Sequence, residues 1–457
     1  MTVVGWVLLV GYALCLLLLL PRLPLLLDEI LDTLTVHAAS WRELIEAIPR
    51  NSGAAPLSYL ARWGAIGVFG ESSFSARLPS AIFSLCACPG VYLLGRRWGL
   101  RWPLLAVVLF VLSPLPFRYA LEARAYSQAL CLSIWATVLF FELIEHPAAR
   151  LRALSYAFCI VAGLYTQPFT IFVPLAHLTW LYLSANPEDA RIRKMRTLAA
   201  LIIVSAIVAF IPWYIYGSRI WGHQVATSGI SGRSGLLIAH EISGSGYSGT
   251  AILLCGIVFG VRSQVDRRMR GFWLFYLMIP VIGAIAADIA FTYFLAIRQM
   301  IFVLPPVAVL CAAGVEYLFT RKAIFGILLF AAVIGASLYG DIHLFRRARE
   351  DWHAAASILI QQRGGRNCIF FEPEHSVVLY TYFYPELASK ECKGRDLTTL
   401  DSVAIAVSPY SDESTKKTLV TRQLQLRDSK WVNVATLNGI GPRVELYRRA
   451  QAIQSDH

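Results

Sequence analysis

Long apolar blocks recur along this chain and constrain its fold more than any other feature. A helix needs about 20 mostly apolar residues to cross a hydrocarbon core of about 30 Å. Of the 457 residues, 57% are hydrophobic and only 15% are charged. About a quarter of the residues of an ordinary soluble domain are charged. The sequence therefore predicts an α-helical polytopic membrane protein.

Hydropathy predicts about eleven transmembrane helices. The predicted spans cover residues 3–20, 78–95, 102–117, 126–144, 153–167, 168–184, 198–216, 249–261, 271–290, 299–318 and 323–340. The first block has no basic flank before it and no small-residue cleavage site after it. We expect it to remain in the protein as an anchor.

The basic residues of the loops predict the orientation, because short cytoplasmic loops are rich in Lys and Arg. With the N-terminus inside, each of the five inside loops is basic. These loops contain Arg96/Arg97/Arg101, Arg150/Arg152, Arg191/Arg193/Lys194/Arg196, Arg262/Arg267/Arg268/Arg270 and Arg321/Lys322. The segments 21–77, 118–125, 217–248 and 291–298 and the region after Gly340 then lie outside. The formal charge of +12 follows loop clusters rather than one basic face, so no nucleic-acid partner is expected.

Two of the outer segments have distinct patterns. Trp41, Leu44, Ile45 and Ile48 recur at helical spacing within segment 21–77 and predict a short helix in the interface, with Ser40 as its cap. Segment 217–248 is rich in Gly and Ser and predicts a mobile loop. The predicted membrane domain covers residues 1–341, with interfacial helices in 28–77.

The region from residue 342 to 457 changes character. Its apolar runs Cys368 to Phe371, Val403 to Val407 and Val432 to Leu437 alternate with polar helical stretches, which predicts a small α/β domain. Asp351 precedes an Ala-rich helical stretch, so it is expected to be an N-cap. Cys368 and Cys392 are the two cysteines of this region. Whether they pair depends on its facing an oxidising compartment, and the sequence leaves this open.

A succession of short motifs begins after the first span. It comprises Asp28-Glu29, Pro56-Leu57-Ser58-Tyr59, Gly70-Glu71, Arg77-Leu78-Pro79, Glu122-Ala123-Arg124-Ala125-Tyr126, Gly163-Leu164-Tyr165-Thr166 and Arg298. The succession resembles the dolichyl-phosphate-mannose protein mannosyltransferase-like family of GT-C glycosyltransferases, which includes lipid A aminoarabinose transferases. The likeness extends loosely to Asp351-Trp352. It departs at Ala55 and Gln167, where relatives often have histidine.

The resemblance implies roles for particular residues. Asp28 matches the general base and Glu29 an assisting carboxylate. Arg124 and Arg298 are the candidates for binding the donor phosphate, because a guanidinium matches phosphate oxygens. The remaining candidates for the substrate cavity are Glu122, Tyr126, Tyr59, Arg77, Tyr165, Gln167 and Tyr293.

The implied reaction is transfer of a sugar, with inversion, from a polyprenyl-phosphate donor to a hydroxyl of an envelope glycan, a lipid or a protein. The protein would lie in the cell's inner (plasma) membrane among its lipids, with its active site and C-terminal domain extracytoplasmic. No cofactor is predicted, and dependence on a divalent metal stays open. His37, His223 and His240 lack the spacing of a helical metal-ligand pair.

Each of these residues also has a structural interpretation. Asp28-Glu29 would merely end a helix, Arg124 would pair with Glu122 or reach the interface, and Arg298 would be an anchor. Arg77 would start the second span, and Tyr126 would belong to an aromatic belt. At the level of the whole chain, a transporter or flippase for a lipid or small solute is the main alternative, because intramembrane charges also serve transport. A third alternative is a structural subunit that only binds partners in an assembly.

Overall fold

The computed structural model describes residues 3–50, 55–183, 188–221, 242–291, 297–346, 350–362, 366–409, 413–438 and 441–449. The chain divides into two compact units. One, here called the membrane unit, comprises Met1–Pro21 and Thr35–Leu344. The other, the C-terminal unit, comprises Arg22–Leu34 and Phe345–His457. Residues 22–34 thus belong to the C-terminal unit in this division.

The membrane unit is built of helices. They are Val3–Leu19, Trp41–Ala47, Pro56–Phe69, Ser73–Trp98, Pro103–Val111, Pro114–Ala120, Tyr126–Glu145, Arg150–Leu164, Phe172–Leu183, Ala190–Trp221, Gly246–Ser263, Arg267–Phe291, Leu304–Arg321 and Ala323–Arg346, with short 3-10 turns at Ile48–Arg50, Pro168–Ile171, Ile297–Gln299 and Ile301–Val303. Leu27–Val36 is a further helix, and most of its residues belong to the C-terminal unit.

Every predicted span coincides with one of these helices or a pair of them. Within the described residues, seven helices are long and apolar enough to cross a membrane. An eighth span results if Pro103–Val111 and Pro114–Ala120, which are bent by 65°, are counted as one. The blocks at 3–20, 153–167 and 168–184 form shorter helices. The fold class predicted from the sequence, a polytopic helical membrane protein with a small C-terminal domain, is confirmed.

Small residues allow two of the long helices to pack closely. Gly256 and Gly260 lie one turn apart on Gly246–Ser263 and face Leu304–Arg321. A Cβ atom on Gly260 would lie 2.0 Å from the backbone oxygen of Leu310, and one on Gly314 would lie 2.2 Å from that of Gly256. Lipid provides no hydrophobic drive for helix association, so close backbone contact of this kind supplies much of the attraction.

The predicted interfacial helix is present as Trp41–Ala47. The Ser40 hydroxyl accepts a hydrogen bond from the Glu43 N–H, as an N-cap does. Leu44 is buried, while Trp41 is exposed. This half-buried pattern agrees with a helix lying in the interface. The predicted loop 217–248 lies largely outside the described residues.

The C-terminal unit contains a four-stranded sheet in the order β1-β2-β4-β3. The strands are β1 (Asn367–Glu372), β2 (Ser402–Val407), β3 (Trp431–Asn438) and β4 (Arg443–Arg449). β1 and β2 are parallel, and the other neighbouring pairs are antiparallel. The α-helices of the C-terminal part are Trp352–Ile360, Val377–Thr381 and Glu413–Asp428, and its 3-10 turns are Glu374–Ser376, Pro385–Lys390 and Leu397–Thr399.

The sheet buries both of its faces. One face packs against Trp352, Leu359 and Tyr380, and the other against Leu426. Both faces being covered explains why β1 and β2 read as continuous apolar runs. The sequence analysis did not predict β4, because charged residues interrupt the apolar pattern of this strand. One of them, Glu445, is buried and accepts hydrogen bonds from Gln423 and the Tyr447 hydroxyl. Asp351 caps the first helix as predicted, accepting from the Ala354 N–H.

The two cysteines of this domain form a disulfide. Cys368 lies in β1, and its Cα is 4.9 Å from that of Cys392. Both residues are buried. The backbone N–H of Cys392 also donates to the carbonyl of Ile369, so the chain after Lys390 is fastened to β1 twice.

We expect the Cys368→Ala variant to lower the apparent free energy of unfolding of the C-terminal part by about 3 kcal/mol, because the bond closes a loop in the unfolded chain. Thermal unfolding in detergent, followed without reductant, measures the loss. Adding reductant to the wild-type protein should reproduce it. Cys15→Ala, which changes an exposed free cysteine of the first helix, is the control. Equal unfolding of the Cys368→Ala variant, the reduced wild type and the untreated wild type would contradict a stabilising disulfide.

Candidate active site

Asp28 and Glu29 occupy the first turn of the helix Leu27–Val36. Although adjacent, they lie in opposite environments: Asp28 is exposed, whereas Glu29 is fully buried. Oε2 of Glu29 accepts a hydrogen bond of 3.0 Å from the backbone N–H of Leu26. Its own backbone carbonyl accepts from the Thr33 hydroxyl at 2.7 Å. Glu29 therefore shapes the start of the helix, and Asp28 is the carboxylate that faces outward.

Apolar side chains on either side of Asp28 anchor this segment in the C-terminal unit. Leu25 and Ile30 are buried in the same cluster as Trp352, Phe371 and Tyr380. A negatively charged side chain in a first helical turn also interacts favourably with the helix dipole. The position of Asp28 is consequently determined by packing on both sides of it.

The second group of candidates lies in the membrane unit, on the chain between Pro114–Ala120 and Tyr126–Glu145. Glu122 is buried and forms an ion pair of 2.6 Å with Nε of Arg118, one helical turn earlier. The Arg124 N–H donates to the backbone carbonyl of Glu122 at 2.8 Å, which closes a tight turn. This turn directs the Arg124 side chain, which is half-buried.

Arg124 lies beside a pair of tyrosine rings. Nη2 of Arg124 lies 3.3 Å from the hydroxyl of Tyr126, whose ring centroid is 4.5 Å from that of Tyr119. Arg298, on the 3-10 turn Ile297–Gln299, interacts electrostatically with the Tyr119 hydroxyl, as Arg118 and Glu122 also do. Tyr126 is 7% exposed, so it belongs to this cluster rather than to an aromatic belt. The structure thus groups Arg124, Tyr126, Glu122 and Arg298 in one region.

Arg62 is a residue of this candidate site that the sequence analysis did not identify. It is 2% exposed, on the helix Pro56–Phe69, and Nη1 donates to the carbonyl of Ala123 at 2.8 Å. The Ser80 hydroxyl donates to the neighbouring carbonyl of Arg124 at 3.1 Å. Together they hold the turn from two sides. An arginine within an apolar helix was the available signal, because such a charge is costly in a membrane and usually has a specific partner.

Tyr59 and Arg77 are both buried and have structural contacts. The guanidinium of Arg62 lies 4.3 Å from the Tyr59 ring centroid. Arg77 is fully buried inside Ser73–Trp98, and its Nη1 donates to the carbonyl of Leu20 at 3.1 Å. Arg77 therefore does not merely start the second span. It satisfies a carbonyl at the end of the first helix, immediately before the segment that carries Asp28.

A backbone hydrogen bond brings the segment with Tyr165 and Gln167 to the start of the helix that carries Tyr59. The N–H of Leu57 donates to the carbonyl of Tyr165 at 2.9 Å, which joins Pro56–Phe69 to the end of Arg150–Leu164. The Tyr165 hydroxyl donates to the carbonyl of Ala209 at 2.7 Å. Gln167 is half-buried and precedes the turn Pro168–Ile171. Tyr293 lies outside the described residues.

Within the described residues, no three side chains of His, Cys, Asp or Glu come together in a group that would hold a metal ion. Nε2 of His37 instead lies 2.8 Å from Oε1 of Glu71. His223 and His240 are outside the described residues.

Residues 54–216 match the model of the dolichyl-phosphate-mannose-protein mannosyltransferase family. This stretch contains Tyr59, Arg77 and the turn at Arg124, whereas Asp28 and Arg298 lie beyond it. No curated protein matches the chain.

Solved structures extend the comparison to almost the whole chain. The protein is similar to apo ArnT from Cupriavidus metallidurans, with 14% identity, a TM-score of 0.61, and coverage of 97% of this chain and 98% of that one. The chain has the GT-C glycosyltransferase fold. This confirms the resemblance stated from the motifs, and the predicted class of enzyme agrees with the family model.

Two further GT-C structures contain a lipid phosphate. ArnT from Cupriavidus metallidurans bound to undecaprenyl phosphate is 14% identical, with a TM-score of 0.59 and coverage of 97% of this chain and 98% of that one. The archaeal oligosaccharyltransferase AglB from Archaeoglobus fulgidus, in complex with an inhibitory peptide and a dolichol-phosphate, is 11% identical. Its TM-score is 0.53, and the match covers 88% of this chain and 69% of that one.

Proposed function

We propose that this GT-C protein transfers a sugar from a polyprenyl-phosphate donor to an acceptor hydroxyl on the non-cytoplasmic face of the membrane, with inversion at the anomeric carbon. The environment of the acidic pair carries the proposal. In the first turn of Leu27–Val36, Glu29 is buried and bound to the backbone, while Asp28 is exposed. One carboxylate shapes the segment, and its neighbour stays accessible to a substrate.

The proposed reaction is a single displacement. The acceptor oxygen attacks the anomeric carbon, the bond from that carbon to the donor phosphate oxygen breaks, and the hydroxyl proton passes to the Asp28 carboxylate. The products are the glycosylated acceptor and a polyprenyl phosphate. A carboxylate of ordinary basicity is sufficient, because the proton leaves late in a displacement at an oxocarbenium-like centre. One displacement at the anomeric carbon inverts its configuration.

Arg124 and Arg298 are assigned to the donor phosphate. Charge accumulates on the phosphate oxygens as the glycosidic bond breaks, and guanidinium groups meet this charge with paired N–H donors. Arg124 donates to the Tyr126 hydroxyl, and Arg298 lies within electrostatic range of Tyr119, whose ring packs on that of Tyr126, which supports this assignment. The ion pair of Arg118 with Glu122 neutralises the carboxylate closest in sequence to Arg124. Phosphate binding by Arg124 therefore meets less local repulsion.

The proposed orientation has two supports. The predicted inside loops are uniformly basic, which favours the other side of the membrane for the outer segments and the C-terminal part. The disulfide between Cys368 and Cys392 belongs to a compartment that permits oxidation. The inner membrane of the cell envelope, with the C-terminal part extracytoplasmic, satisfies both. The proposed acceptors are correspondingly an envelope glycan, a lipid or a secreted protein.

A donor assay tests this function. The purified protein in lipid nanodiscs is given undecaprenyl phosphates that carry radiolabelled hexoses or pentoses, together with an extract of envelope glycans, lipids and proteins. We expect one of these donors to transfer its label to an acceptor and to release undecaprenyl phosphate. The anomeric configuration of the product, read by NMR, should be opposite to that of the donor. A parallel assay reconstitutes the protein in proteoliposomes. Movement of the intact donor across their membrane, without transfer of the sugar, would instead establish a transporter.

A further inference from the structure

The helix that carries Asp28 begins at a carboxylate from a distant part of the chain. Leu27 is its first residue, and the first backbone N–H groups of a helix have no partner within it. The Leu27 N–H donates to Oε2 of Glu350 at 3.0 Å, across 323 residues of sequence. Glu350 thus acts as the N-terminal cap of this helix, and its negative charge lies at the favourable end of the helix dipole.

Glu350 is itself held in place by two other contacts. The indole Nε1–H of Trp352 donates to the same Oε2 atom at 2.7 Å, and Trp352 is fully buried. On another side, Gly441 has a φ of +105° and packs against Glu350 so closely that a Cβ would lie 2.8 Å from its Cα. Oε2 is therefore a fixed acceptor rather than the end of a mobile side chain.

We propose that Glu350 is a positioning residue, which holds the first turn of Leu27–Val36 so that Asp28 keeps its reactive orientation. The inference rests on the proposed function, because it concerns the base of that reaction. The C-terminal unit thereby controls turnover, in addition to any part it has in stability. Small displacements of a catalytic group have large effects on rate, since the reaction needs a near-attack geometry.

Two substitutions of Glu350 separate positioning from charge. Glu350→Gln keeps an oxygen that accepts from both N–H groups, whereas Glu350→Ala removes it. For Glu350→Ala we expect kcat for sugar transfer to fall about tenfold or more with the donor KM unchanged, and Glu350→Gln to restore most of kcat. Glu386→Ala, at an exposed carboxylate of the same unit, is the matched control.

Two glycines provide an independent pair of variants. Gly441→Ala pushes on Glu350, and we expect it to lower kcat in the same manner as Glu350→Ala. Gly394→Ala imposes similar backbone strain, since its φ is +73°, but a Cβ there meets nothing within 4 Å. Gly394→Ala should therefore keep the wild-type kcat. If kcat fell equally in Gly394→Ala and Gly441→Ala, backbone strain alone would explain the effect, and the contact of Gly441 with Glu350 would no longer support positioning.

Hydrogen exchange of the full-length protein in nanodiscs reports the stability of the capped first turn and does not depend on sugar transfer. The peptide containing residues 26–30 should exchange about ten times faster in Glu350→Ala than in wild type and Glu350→Gln. Unchanged exchange, or a wild-type kcat in Glu350→Ala, would overturn the positioning role. If no donor supports transfer by the wild-type protein, the proposed function fails, while the exchange result still decides whether Glu350 holds the helix.

Discussion

Asp28→Asn should strongly reduce the rate of sugar transfer and leave the protein folded. A general base contributes about 10²–10⁴-fold to a rate, so we expect kcat to fall by that factor with the donor KM little changed. Folding should be preserved, because Asp28 is exposed and the first turn is held by contacts of Glu29 and Glu350. Transfer of label from the polyprenyl-phosphate donor in purified nanodiscs gives the rate, and the melting temperature reports folding.

Glu46→Gln is a matched control for this variant. Glu46 is an exposed carboxylate on Trp41–Ala47, the next helix along the chain, so the substitution removes a similar exposed charge. We expect it to retain the wild-type rate. Undiminished transfer by Asp28→Asn would eliminate Asp28 as the base. An equal loss in both variants would indicate that exposed negative charge in general, and not the Asp28 carboxylate, determines the rate.

Arg124→Gln has the second-largest expected effect. A hydrogen bond to a charged group contributes about 1.5–3 kcal/mol, so removing the guanidinium should raise the donor KM by about 10- to 100-fold. Arg124→Lys keeps the charge but not the paired donors, and we expect an intermediate KM. The turn itself should persist, because its other contacts come from Arg62, Ser80 and Arg118.

The measurement is the donor KM at a saturating acceptor concentration. Arg42→Gln is the control, since Arg42 is an exposed arginine on the interfacial helix and lies over the Trp41 ring. It should keep the wild-type donor KM. A donor KM that stays constant in Arg124→Gln, while that of Arg42→Gln rises, would assign the lipid phosphate to the interfacial arginine instead.

Local patterns were sufficient to predict much of this fold. Each predicted span coincides with a helix because membrane insertion depends on the summed hydropathy of consecutive residues. The caps at Ser40 and Asp351 were also predictable, since a cap and the N–H that it accepts are three residues apart. β4 was not predicted, because buried Glu445 is charged like the arginines of the same strand. Its burial depends on partners that the local pattern does not contain.

By itself, the sequence determined the membrane class, the α/β character of the C-terminal domain and the motif order that resembles GT-C enzymes. Only the tertiary structure decided that Glu29 is buried while Asp28 is exposed, that Arg62 holds the turn at Ala123, and that Glu350 caps the Asp28 helix. The physical reason is distance along the chain. Hydropathy and capping depend on residues a few positions apart, whereas the Arg62 and Glu350 contacts join residues separated by 61 and 323 positions.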